Sequence, residues 1–124
     1  MADSPYIVNI DQSNIVDVVI EGSTKQPVLV DVWADWCAPC KHLMPILEKL
    51  VNEYEGAFIL AKLDGDANQE LVQQMGVRGF PTCRLFKDKE AIDEFSGAIP
   101  ETQVRQFLDQ HLSAGDSAAS NPPA

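Results

Sequence analysis

VLVDVWADWCAPCKHLMP, Val28 to Pro45, decides how the rest of the chain is read. Its first half, VLVDVWA, is almost unbroken apolar sequence with three valines. That composition suits a central strand covered on both faces. Its second half opens a helix. Pro39 is acceptable in a first turn, where an amide has no helical partner to lose. Cys37 then falls near the helix N-cap, with Cys40 three residues on. A pair at that spacing can be a structural staple, half of a metal site, or a reactive dithiol.

Working outward, Tyr6 to Ile10 predicts a short strand. Asp11 then caps a helix that carries Ile15, Val16, Val19 and Ile20 and ends near Gly22. Beyond the cysteines, Leu43, Ile46, Leu47, Leu50, Val51 and Tyr54 recur at helical spacing until Gly56 stops them. FILAKLD, Phe58 to Asp64, is a second central strand, and Ala67 to Met75 is a short helix ended by Gly76. Thr82 to Phe86 and Ala91 to Phe95 predict a hairpin across Lys87-Asp88-Lys89-Glu90. Pro100 opens a last helix with the buried stripe Val104, Phe107, Leu108 and Leu112.

The order β-α-β-α-β-α-β-β-α implies an α/β fold: a central mixed β-sheet flanked by helices on both faces. Residues 1–112 form one domain. From Ser113 the chain reads SAGDSAASNPPA, small and polar with paired prolines, so residues 113–124 are expected to be a disordered tail or a linker to an absent C-terminal region.

Composition narrows the function. The 124 residues are 45% hydrophobic and 23% charged, ordinary for a globular protein. A formal net charge of −10 argues against nucleic acid or an anionic membrane as partner, because a polyanion is repelled. No apolar run approaches the ~20 residues that span a bilayer. The start, MADSPYIVNI, lacks the basic residues and long apolar stretch of a secretory signal. The expected location is therefore cytoplasmic. Three cysteines in a reducing cytosol are not a disulfide framework.

The chemistry of the pair follows from its position. With no N–H on Pro39, the amide of Cys40 is the natural donor to the Cys37 sulfur, and the helix dipole adds positive potential there. Lys41 adds charge of the same sign. These effects favour the thiolate, which is the nucleophile. Positions i and i+3 place Cβ atoms roughly 5–6 Å apart, and a disulfide needs about 3.8 Å. A small adjustment closes the bond, so Cys37 can attack a substrate disulfide and Cys40 can resolve the product.

The alternatives are weaker. A zinc site wants four ligands, and only Cys83, His42 and His111 remain, with no second pair at ligand spacing. A staple across so short a loop contributes little. Cys83, in an apolar strand, reads as a small core residue, and His42 as an exposed one.

Asp31 interrupts VLVDVWA, where an unpaired buried carboxylate is costly. It either faces local water, pairs with Lys62 on the neighbouring strand, or has a raised pKa and accepts the Cys40 proton. In GVRGFPTCRLF, Pro81 starts a strand where proline cannot take a middle ladder position. A cis Phe80–Pro81 bond would make the tight turn, although only about 5–6% of X-Pro bonds are cis.

Taken together, VDVWADWCAPCK, Pro45, AKLDGD, VRGFPT and Ser96-Gly97-Ala98 resemble the thioredoxin family, in the right order from about Tyr6 to Leu112. The resemblance implies a thioredoxin fold. It further implies Cys37 as the exposed nucleophile, Cys40 as the buried resolving thiol and Asp31 as the proton acceptor, with Lys62 as its neighbour. Pro81 would be the cis-proline beside the disulfide. The groove that receives substrate backbone would lie around Trp36, Ala38, Pro39, Phe80 and Gly97, with Trp33 in support. Pro45 matches the proline that kinks the active-site helix. One departure is Ala38-Pro39 in place of the family's usual Gly-Pro, a dipeptide that sets redox poise.

The implied activity is thiol–disulfide oxidoreduction on protein disulfides, with no cofactor beyond the Cys37–Cys40 pair. A thioredoxin reductase-type dithiol donor would recharge it, and this domain would work as a monomer. IVNID and FILAKLDGDANQELVQQMGVRGFPT also resemble the N-terminal domain of bacterial co-chaperones that carry tetratricopeptide repeats. That second likeness implies an alternative: a client-binding holdase module, redox activity secondary, within a longer chain.

Overall fold

A computed structural model describes residues 4–112; the tail expected from Ser113 lies outside the described residues. Five strands form one sheet in the order β1-β3-β2-β4-β5. They are β1 (Ile7–Ile10), β2 (Val28–Trp33), β3 (Ile59–Asp64), β4 (Thr82–Lys87) and β5 (Glu90–Ser96). β3 runs parallel to β1 and β2, whereas β4 is antiparallel to β2 and to β5. Among the described residues the α-helices are α1 (Ala38–Glu53), α2 (Gln69–Met75) and α3 (Glu101–His111).

β2 lies at the centre, and its valines and leucine serve two different cores. Val28, Val30 and Val32 point to one face, where they pack with Ile10, Val19, Ala61, Leu63, Leu71 and Val77. Leu29 points to the other, among Leu43, Leu47, Leu50 and Val51 of α1 and Val104 and Leu108 of α3. Side chains alternate along a strand, so Asp31, two residues after Leu29, faces the α1 side. Both faces of β2 are shut from water. Each of these valine and leucine side chains stabilises the fold by roughly 1.5–3 kcal/mol on burial.

Two expectations are corrected. The second element is not an α-helix: Val16–Glu21 forms a π-helical turn, followed by a 3₁₀ turn at Gly22–Thr24. The Gly22 N–H reaches back five residues to the Asp17 carbonyl. The β-branched run Ile15, Val16, Val18, Val19 and Ile20 has low α propensity, and the buried Val19 anchors the turn to the sheet. Phe107 is half-buried rather than buried, and its ring packs edge-on to Phe95, centroids 5.0 Å apart. Among the described residues, no helix is long and apolar enough to cross a membrane.

Candidate active site

The site lies where β2 ends and α1 begins. Cys37 is the N-cap of α1, with extended backbone at φ −94° and ψ 104°. Pro39 occupies the first turn. The Cys40 amide donates a hydrogen bond to Cys37 Sγ over 3.2 Å. The two cysteines are joined in a disulfide, with Cα atoms 5.3 Å apart. α1 continues through Pro45, which lacks the N–H that would bond to the Lys41 carbonyl.

Cys37 is not exposed as expected: it is 3% accessible and Cys40 2%. Phe80 and Trp33 pack against the pair and Ala34, which accounts for the cover. Trp36, by contrast, stands 68% exposed. Its ring meets Phe80 with centroids 5.7 Å apart. Ala38 and Pro39 are exposed beside it. The Phe80–Pro81 bond is cis. Gly97, at φ +87°, donates its N–H to the Pro81 carbonyl over 3.0 Å. The structure thus brings Trp36 and Phe80 together at the disulfide and ties Gly97 to Pro81.

On the α1 side of β2, Asp31 is wholly buried. Cross-strand register sets it beside Lys62 on β3 and Cys83 on β4. Lys62 does not pair with it. Its Nζ lies 2.9 Å from Glu48 Oε2 on α1. Asp31 Oδ1 accepts a hydrogen bond from the Cys83 thiol at 3.5 Å, and Oδ2 has no partner among the described residues. Burial pushes the Asp31 carboxyl up to about 7, opposed by the Cys83 hydrogen bond and the Lys62 charge.

The Trp33 indole N–H is likewise buried without a partner among the described residues. A cleft of about 210 Å³, lined by Trp33, Cys40, Lys41, Met44 and Lys62, opens beside Cys40. Among the described residues, no cluster of three His, Cys, Asp or Glu side chains could hold a metal ion.

Three contributors escaped sequence reasoning. Glu48 looks like a surface residue of an amphipathic helix, and only the fold brings it to Lys62. Gly65 follows β3 and donates to the Trp33 carbonyl at 2.7 Å. A Cβ there would meet the Phe80 ring at 2.5 Å, so Gly65 makes room for the ring that covers the disulfide. Its place in AKLDGD was the available signal. Cys83 is the third, and its neighbour on β2 depends on register.

Comparison with known proteins agrees with this geometry. The family model described as "Thioredoxin" matches residues 7–110. The chain is 38% identical over 109 residues to the thioredoxin of Pseudomonas aeruginosa, a match covering 88% of this chain and 99% of that protein. Thioredoxin C-2 of Corynebacterium nephridii matches to the same extent. The thioredoxin of Haemophilus influenzae is 36% identical over 106 residues, 86% of this chain and 97% of that protein. These matches span almost the whole length of each relative; a fusion to tetratricopeptide repeats is not shown.

Proposed function

This chain belongs to the thioredoxin family, and from that premise we propose how its cysteine pair works. It is a thiol–disulfide oxidoreductase. The dithiol itself is the redox group of such proteins, so the chemistry needs no cofactor. The family implies protein disulfides as substrates and a thioredoxin reductase as partner.

Cys37 is the attacking sulfur. The observation that carries this assignment is its place at the α1 N-cap, facing the Cys40 amide at 3.2 Å. A hydrogen bond to sulfur and the positive helix end both favour a thiolate there. In the reduced protein, Cys37 S⁻ attacks one sulfur of the substrate disulfide and expels the other as a thiolate. Cys40 then gives up its proton and attacks Cys37 Sγ. The mixed disulfide breaks, the Cys37–Cys40 bond forms, and the second substrate thiolate leaves. Two electrons pass to the substrate, and a reductase dithiol restores the pair.

Asp31 takes the Cys40 proton, because a carboxyl titrating near neutrality is matched to that task. Trp36, Ala38, Pro39, Phe80 and Gly97 form the substrate groove around Pro81, with Trp33 and Lys62 in support. This reading is supported by the exposure of Trp36 and by the Gly97–Pro81 hydrogen bond.

Residues 1–112 act as the working domain and 113–124 as a tail or linker. The family match over residues 7–110 supports that division. One chain supplies both cysteines and the groove, which supports action as a monomer. A reducing cytosol, where the pair is readily recharged, is its working compartment.

The test is reduction of insulin coupled to a thioredoxin reductase. The parent should turn over and Cys37→Ser should not. A parent without turnover, its thiols shown to be free, would contradict the reductase reading.

A further inference from the structure

The chain has three cysteines, and the exchange reaction uses two. The third, Cys83, is fully buried in β4. Its register partner on β2 is Asp31. The thiol donates to Asp31 Oδ1 at 3.5 Å, a length ordinary for sulfur because of its larger radius. An apolar side chain at this position would satisfy the core equally well. A donor aimed at the buried carboxylate does something that packing does not require.

The surroundings leave few other controls on that carboxylate. From β3 comes Lys62, whose ammonium is engaged by Glu48 of α1 at 2.9 Å. α1 also carries Cys40 at its start. α3 contributes the apolar Val104 and Leu108 to this core. Cys83 is thus the group that bonds directly to Asp31 among the described residues, and Oδ2 is left without a partner.

We propose that Cys83 is a positioning residue for the proton transfer: its thiol holds Asp31 Oδ1, so that Oδ2 receives the proton of Cys40. The step balances simply. The Cys40 S–H bond breaks and an O–H bond forms at Oδ2, while the Cys40 electron pair makes the Cys37–Cys40 bond and the substrate thiolate departs. Cys83 itself is neither oxidised nor deprotonated. Burial pushes its thiol well above the usual range, with the Asp31 charge adding to it, so it stays a donor throughout.

Two measurements test this, and the inference rests on the reading of Asp31 as proton acceptor. In the oxidised, unmodified protein Cys83 carries the one S–H of the chain, because the other two cysteines are bonded to each other. Its infrared S–H stretch should sit at a hydrogen-bonded position and move as pH crosses the Asp31 titration near 7. The same band should stay fixed with pH in Asp31→Asn. A pH-independent band in the parent would overturn the contact without any variant having to fold.

The second measurement is the pH profile of mixed-disulfide resolution. Cys83→Ala removes the donor, so the carboxyl ionises less readily. The profile should move up by about half a unit to one unit, less than a full charge-assisted hydrogen bond would give, since a thiol is a weak donor. Cys83→Ser restores a donor and should return the profile to the parent's position or below it. If both variants superimpose on the parent while Asp31→Asn is slow, the positioning role fails and Asp31 remains the acceptor. If Asp31→Asn resolves at the parent's rate, the acceptor reading fails and the inference goes with it.

Discussion

Asp31 is the residue at which burial and charge pull in opposite directions. The folded protein holds its proton with a pKa near 7, against about 3.9 in an unfolded chain. Between those values the native state binds more protons than the unfolded one, so stability falls as pH rises through that window. Three pKa units amount to a loss on the order of 4 kcal/mol by about pH 8. Asp31→Asn should therefore be more stable than the parent at about pH 8, with a flatter profile from about pH 4 to 7. Urea unfolding of the oxidised proteins measures this. An Asn variant less stable than the parent at the higher pH would show that the carboxylate is not strained by burial. Asp31 was legible because a charge inside VLVDVWA is anomalous, and the cysteine pair because of its spacing. Cys83 was legible only as a buried residue, since the sequence does not state which β2 residue lies opposite β4.

At the scale of elements, periodicity located the strands and α1 because packing agrees with it: Leu43, Leu47, Leu50 and Val51 are all fully buried. It misread Val16–Glu21, where apolar residues at helical spacing wind as a π turn. Periodicity reports which face is buried, and it does not distinguish an i−4 from an i−5 hydrogen bond. Nor did it show that the β3–α2 turn and the β4 turn touch through Gly65 and Phe80. A Cβ at Gly65 would have to push the Phe80 ring from its place against Trp36 and the disulfide. Gly65→Ala should cost roughly 1–3 kcal/mol, in the range of overpacked sites. It should also lower insulin turnover several-fold, because Phe80 covers the pair. Unfolding curves and turnover both matching the parent's would mean that the turn yields freely and the ring is not held there.

For the whole molecule, element order made an α/β sheet legible, and the strand order β1-β3-β2-β4-β5 places β2, and with it the cysteines, at the centre. The net charge of −10 acts at this scale, over the entire surface. A disulfide peptide of net positive charge should be reduced several-fold faster than an acidic one of equal length at low salt. The gap should close as ionic strength approaches 1 M, where the Debye length falls to about 3 Å. Equal rates at low salt would show that local contacts at the groove outweigh the field. How Cys37 and Cys40 divide the reaction, however, was legible only in outline, since both are buried in the disulfide-bonded structure. The most direct measurement is a trap: reduced Cys40→Ser mixed with a disulfide substrate, the adduct located by peptide mapping. A stable mixed disulfide at Cys37, released by dithiothreitol and absent from Cys37→Ser, is the predicted result. An adduct at Cys83, or none at all from a protein whose Cys37 is free, would contradict the assignment of Cys37 as the attacking sulfur.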